Sequence, residues 1–477
     1  MKKRLLSLLL LVSLSLSVFA GCNFSSLLGG GKTSESDSQT SSTSEAPAGP
    51  VFDPYSKEDP ELNVVYSKQL TLDETSTETQ KMEVTVKSYI DGDTTHFYIP
   101  QELRSQFKNQ DALKARYLGV NTPESTGKLE EWGKKAANFT KNRLLSASSI
   151  ILETDSNTWE VDSTGERYLV WVWYKPQGSD TYVNLNLELL QYGLAVGSKA
   201  GSTRYGETCT AAINQAIQLE LHVHSKLQDP DFFYGTAYEV DLKELRTNPE
   251  EYVGSKVAFE GYASYYSNQG VYVENYDDET QRYYGMYVYY GYFLTTQGKK
   301  VLAMGNHVRI VGSLQYYETG DSYQVSDLTY DPFDLNNPEN IKLLDDQKHP
   351  AANVETTIDT FNSEVTIRLD NADGEPTDVT MDYAALALNT SICMKNLKVT
   401  KAYTTNNGGD NDGAISLTCT VDGKTITVRT AVLVNEDSSI VSQDVYVGKT
   451  IDVYGIIDTY NGEYQIKVFK KADIIIH

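Results

Sequence analysis

Hydrophobic and polar positions change rhythm several times along this chain. Leu5 to Ala20 form one unbroken apolar run of 16 residues behind Lys2, Lys3 and Arg4. That is short for a membrane span, and a basic start with the small-residue exit Ala20-Gly21-Cys22 predicts a secretory signal. From Met82 the pattern alternates. Met82, Val84 and Val86 predict a strand, and further strand-like runs follow, including Leu169 to Trp173. Three helical faces interrupt them. Trp132, Ala136 and Phe139 define the first, and Leu185, Leu189 and Tyr192 the second, stopped at Gly193. Ile213, Ala216, Ile217 and Leu221 define the third. Short strands with interspersed helices predict an α+β domain around a small barrel over residues 84–228.

Past Pro230 helical periodicity largely disappears, and residues 252–330 and 385–475 are strand-rich. Their ends repeat one another. Gly305-Asn306-His307-Val308-Arg309-Ile310-Val311-Gly312 parallels Gly448-Lys449-Thr450-Ile451-Asp452-Val453-Tyr454-Gly455, and Tyr317 and Tyr460 follow at the same offset. Tyr323-Gln324 and Tyr464-Gln465 come next. This order of matches predicts duplicated modules, at 236–332 and 350–477, each a mostly-β five-stranded barrel of the OB type.

The segment Val18-Phe19-Ala20-Gly21-Cys22 resembles a bacterial lipoprotein cleavage box, in which the cysteine becomes lipid-modified; Phe19 departs from the usual Leu. On that resemblance residues 1–22 are a signal peptide with its lipid-attachment residue, Cys22. Between Asn23 and Pro50, 11 of 28 residues are Ser or Thr and 4 are Gly, a composition too polar to fold and suited to a tether. Residues 23–60 are therefore expected to be linker and pre-domain segment. The body is expected to stand on the outer face of the cell membrane, held there by Cys22.

Charge changes the picture unevenly. The 477-residue chain carries a net charge of -24, from 41 Lys and Arg against 65 Asp and Glu. Residues 1–83, 84–228 and 229–477 contribute -4, -1 and -19, so the middle is nearly neutral and the C-terminal half strongly acidic. Four cysteines are too few for a disulfide scaffold, and one apolar run excludes a multi-span membrane protein.

Candidate chemistry gathers in the middle. Ile90-Asp91-Gly92-Asp93-Thr94 directly follows a strand; Arg116-Tyr117-Leu118-Gly119-Val120-Asn121-Thr122-Pro123-Glu124 and Asp162-Ser163-Thr164-Gly165-Glu166-Arg167-Tyr168-Leu169 complete the set. Each alone is weak, since Asp-Gly-Asp is usually a turn and a strand arginine usually makes surface ion pairs. Together they supply what phosphodiester cleavage needs. A hard cation takes oxygen ligands, arginine forks bind phosphoryl oxygens, and a carboxylate deprotonates water.

In combination these stretches, with Leu189-x-x-x-Gly193-Leu194-Ala195, resemble the thermonuclease (staphylococcal nuclease-like) family over residues 84–228. That resemblance implies an OB-type barrel with three helices, hydrolysis of DNA and RNA, and one Ca2+ as cofactor. Carried over, Asp93 is the carboxylate ligand of calcium and Thr122 a backbone-carbonyl ligand. Arg116 and Arg167 bind phosphate, and Glu124 is the general base. Asn121 stands where a second aspartate is usual, which implies a weaker calcium site. The loop before Arg167 is one residue longer than the family pattern, and Val196 to Thr203 lacks the tyrosines that stack on the nucleotide.

Other candidates are blander. His222-Val223-His224 fits a helix end better than a metal site, Cys209 a buried helix position, and Asp277-Asp278-Glu279 a solvated turn. Cys393 and Cys419 share one module, where pairing and free thiols are both open. Tyrosines such as Tyr265, Tyr272, Tyr287 and Tyr289 suggest a single-strand grip in the OB-like modules, but a balance of -19 opposes it and favours protein or envelope contacts. The alternative to a nuclease is a non-catalytic surface-binding lipoprotein with a relic nuclease fold. A relic is expected to have lost one of Asp93, Arg116, Glu124 or Arg167, and all four are present.

Overall fold

The computed structural model describes residues 64–317, 320–369 and 377–477, and residues from 64 onward belong to one compact unit. The signal segment, Cys22 and the 23–60 linker lie outside the described residues. Three closed barrels follow one another, all wound the same way.

The first contains β1 (Lys81–Glu83), β2 (Thr85–Asp91), β3 (Thr94–Tyr98), β4 (Ala112–Tyr117), β5 (Gly119–Asn121), β6 (Ala147–Glu153), β7 (Tyr168–Pro176), β8 (Val183–Asn184) and β9 (Val196–Ser198). Its sheet runs β1-β6-β7-β4-β3-β2, and β1 and β2 are one strand interrupted at Val84, whose N–H donates to Ile150 O at 3.0 Å. The barrel therefore closes, with β4 and β7 as its parallel pair. Helices α1 (Gly133–Leu145), α2 (Leu185–Gln191) and α3 (Gly206–Gln218) pack around it. Val170, Trp171, Val172 and Trp173 are all fully buried, because β7 faces the barrel interior on one side and the helices on the other. The chain before residue 84 takes part: Ser67 N donates to Gln191 Oε1 of α2 at 3.0 Å.

The second barrel opens with the short β10 (Tyr238–Glu239) and α4 (Leu242–Thr247). It continues with β11 (Lys256–Ser267), β12 (Gly270–Asp277), β13 (Arg282–Tyr289), α5 (Thr296–Val301), β14 (His307–Tyr317), β15 (Ser322–Ser326) and β16 (Lys342–Leu343). The third has β17 (Val354–Glu355), a separate hairpin of β18 (Glu364–Leu369) and β19 (Thr377–Asp382), then β20 (Ser391–Thr404), β21 (Ala414–Val421), β22 (Lys424–Val432), β23 (Thr450–Tyr460), β24 (Glu463–Val468) and β25 (Ile474–Ile476). The cores run β11-β12-β13-β15-β14 and β20-β21-β22-β24-β23, each closed by a first-to-fourth strand pairing and each with one parallel pair.

The repeat seen in sequence has a steric cause. A Cβ on Gly312 would collide with Ser326 O, and one on Gly455 with Lys467 O, so the fifth strand approaches the fourth at the same glycine in both barrels. Gly305 and Gly448, which start these strands, hold φ of 80° and 76°.

The structure closes the question left open for the thiols: Cys393 and Cys419 are both buried and free. Cys419 sits opposite Val399, six residues along β20 from Cys393. At about 3.3 Å per residue that is roughly 20 Å, far beyond disulfide reach. His222 is also structural: its Nδ1 lies 2.7 Å from Tyr192 O and its ring meets Trp132 edge-on. No described helix is long and apolar enough to cross a membrane.

Candidate active site

The β2–β3 turn presents Asp91 and Asp93 toward β4 and the loop after β5. Asp93 is only 1% exposed, and its carboxylate is satisfied from three directions. Thr94 Oγ1 donates at 3.0 Å, Thr122 N at 2.9 Å, and Arg116 Nη1 forms a short ion pair. The same guanidinium donates through Nη2 to Asn121 Oδ1. Thr122 and Arg116 are thus bonded directly to Asp93, and Asn121, expected beside it on the cation, is joined to it through Arg116.

Gly92 makes the close packing possible. A Cβ there would lie 2.8 Å from Thr122 Oγ1 and 2.9 Å from Ala136 Cβ on α1. Thr140 Oγ1 of the same helix donates to Gly92 O at 2.5 Å, which fixes the turn from behind.

Glu124 lies beyond Pro123, half-buried. Its backbone is set by Glu130, which accepts from Glu124 N at 3.2 Å and donates its own N–H to Glu124 O at 2.9 Å. Its side chain hydrogen-bonds to Asp91, whose pKa is raised well above the usual carboxylate range by burial, then by this bond and by the charges of Glu124 and Asp93. Ser125 Oγ also donates to Asp91 Oδ1, at 2.7 Å. Asp91 and Ser125 thus join the site; the sequence signal for Asp91 is its place as the first acid of the Asp-Gly-Asp turn. A cavity of about 290 Å³ opens beside Glu124, lined also by Lys134, Asp229, Phe233 and Gln315.

Arg167 lies in the bend just before β7, whose Leu169 pairs with Arg116 in the parallel register. Its guanidinium is held by Asp162, with Nε 2.7 Å and Nη2 2.6 Å from Oδ2. Burial would raise the Asp162 pKa, but bonds from Thr164 and Arg167 hold it lowered. The longer loop before Arg167 thus carries its own counter-ion, which motif spacing alone does not disclose.

Residues 114–224 match the family model described as staphylococcal nuclease homologue. The first barrel is a member of that family. The match includes Arg116, Asn121, Thr122, Glu124 and Arg167, while the Asp91–Asp93 turn precedes it and joins the nuclease domain through the bonds above. No curated protein matches the chain.

The donors in the nuclease domain fit a hard cation. Asp93, Asn121 and Thr122 offer only oxygen, and Thr122 Oγ1 is buried without a hydrogen-bond partner beside the Asp93 carboxylate. The set is one carboxylate plus neutral oxygens; among the described residues no group of three or more His, Cys, Asp and Glu side chains converges as a metal site.

Proposed function

We propose that this protein is a calcium-dependent endonuclease that hydrolyses phosphodiester bonds in DNA and RNA at the outer face of a bacterial membrane. The observation that carries the reading is the buried Asp93, which ties the first two sequence stretches together by bonding Arg116 and Thr122 while Arg116 reaches Asn121. Asp93, Asn121 and the Thr122 carbonyl would hold the cation. Bound there, calcium supplies Lewis-acid stabilisation of charge on the phosphate. Arg116 and Arg167 place bidentate donors on phosphoryl oxygens. Glu124 takes the proton of the attacking water, and Asp91 and Ser125 orient the base by holding its neighbourhood fixed.

Hydrolysis of DNA and RNA is expected with calcium and not with chelator. Glu124→Gln and Arg167→Ala are each expected to lower turnover on the order of 10²–10³-fold with thermal unfolding little changed. Wild-type turnover in either variant removes that residue from the chemistry. Anchoring through Cys22 supplies the location: Cys22→Ser is expected to move the protein from the membrane fraction to the medium.

A further inference from the structure

The second barrel meets the Glu124 loop with its aromatic end. Gly127, with φ of 76°, lies so close to Phe293 that an added Cβ would fall 2.5 Å from Phe293 Cε2 and 3.5 Å from Tyr289 Cε1. Gln315 Nε2 donates to Ser125 O at 3.0 Å, and Asp327 accepts from Leu129 N at 3.2 Å. The rim of the nuclease cleft beyond Glu124 is therefore built by the β13–α5 connection and the end of β14. Tyr292 is 80% exposed, Phe293 49% and Tyr317 46%. Burial, then the hydroxyls of Tyr292 and Tyr317 and the Glu124 carboxylate, raise the pKa of Tyr289, so these groups lie within electrostatic reach of one another.

Within the half-chain balance of -19, residues 280–317 carry no Asp or Glu, and Lys299 and Lys300 stand on α5, which follows the aromatic connection. Arg282 and Arg309 lie at the far ends of β13 and β14, Arg309 paired with Glu239. Lys299 Nζ lies 5.3 Å over the Tyr290 ring. The third barrel lacks this feature: after β22 its chain runs Leu433-Val434-Asn435-Glu436-Asp437, with no aromatic and two acids. The nuclease domain's own rim lacks it too, since Val196–Ser198, paired with the Asn121 strand, presents no ring.

We propose that the aromatic end of the second barrel is a subsite for single-stranded nucleic acid, on which bases of the strand leaving the Glu124 site stack. The proposal rests on the nuclease reading and names where its substrate strand is held. Aromatic side chains stack on any base, since every base has a π-face, and Tyr289 and Tyr317 end the third and fourth strands of this barrel on either side of the Tyr292–Phe293 connection.

The test uses the full chain and a fluorescein-labelled oligothymidylate of about 15 nucleotides in EDTA, which separates binding from hydrolysis. Tyr292→Ala combined with Tyr317→Ala is expected to weaken binding about tenfold or more and to raise KM for single strands in step. Tyr460→Ala, the matching exposed tyrosine of the third barrel, is the control and is expected to change neither. If the double variant binds as the parent does while the parent cleaves with calcium, the subsite is wrong, the nuclease reading stands, and the aromatic end is a protein-docking face. If the parent neither binds nor cleaves, both fall.

Discussion

Asp93 owes its place to neighbours that each contribute one bond, so single substitutions around it have separable consequences. Asn121 already shares Arg116 with Asp93. Adding a carboxylate there by Asn121→Asp is expected to lower the calcium concentration for half-maximal activity, since attraction to a divalent ion at contact distance exceeds its competition with one arginine. Calcium titration of both proteins reads this, and an unchanged midpoint excludes Asn121 from the ligand set. Gly92 tests the frame instead: Gly92→Ala has to push apart Thr122 and Ala136. Overpacking of this kind costs about 1–3 kcal/mol, measurable by denaturant unfolding, and activity is expected to fall with it. Asp93, Arg116 and Glu124 were legible because their stretches place chemistry at short spacing. The Asp162 clasp on Arg167 was not, because an acid five residues away reads as loop until the backbone turns it inward.

Elements repeat the lesson at larger spacing. The fourth strands of the second and third barrels were legible because Gly312 and Gly455 answer a steric demand that allows no other residue. The three helices were legible from their 3.6-residue period, though Trp132 and Tyr192 only flank α1 and α2, Leu221 lies beyond α3, and Ile217 is exposed rather than on the packed face. The docking of the Glu124 loop on β14 was not legible, since a polar loop held by Gln315 and Asp327 has no periodicity to betray it. Gly127→Val probes that contact. Both its positive φ and the Phe293 ring exclude the larger side chain, so the loop is expected to lift from the second barrel. A displacement near 1 Å at the base costs on the order of 10²-fold in turnover. Kinetics beside thermal unfolding distinguishes this from collapse of the barrel, which is expected to keep its melting temperature.

Across the whole molecule, the second and third barrels are joined by buried polar groups. Glu274 of β12 accepts from Ala352 N at 2.9 Å, Ser391 N at 2.6 Å and Ser391 Oγ at 2.8 Å. Arg246 of α4 donates to Gly285 O at 2.6 Å and Asn389 Oδ1 at 3.2 Å, and burial lowers its pKa to about 10. Burial raises the Glu274 pKa more than its three donors lower it. The folded state therefore holds this proton more tightly than the unfolded chain, so Glu274 contributes most at acid pH and less as pH climbs above the ordinary carboxylate range. The melting-temperature gap between wild type and Glu274→Gln is accordingly expected to be larger at pH 4 than at pH 7. Winding order has a further consequence, in how the chain finds its shape. Two neighbouring barrels of one topology offer each incoming strand two addresses with the same hydrogen-bond pattern, and the wrong address is a kinetic trap. A chain whose barrels form in sequence, each closed before the next is available, avoids that exchange. Refolding the whole length at once from denaturant is expected to leave more misassembled protein than stepwise release from the N-terminus.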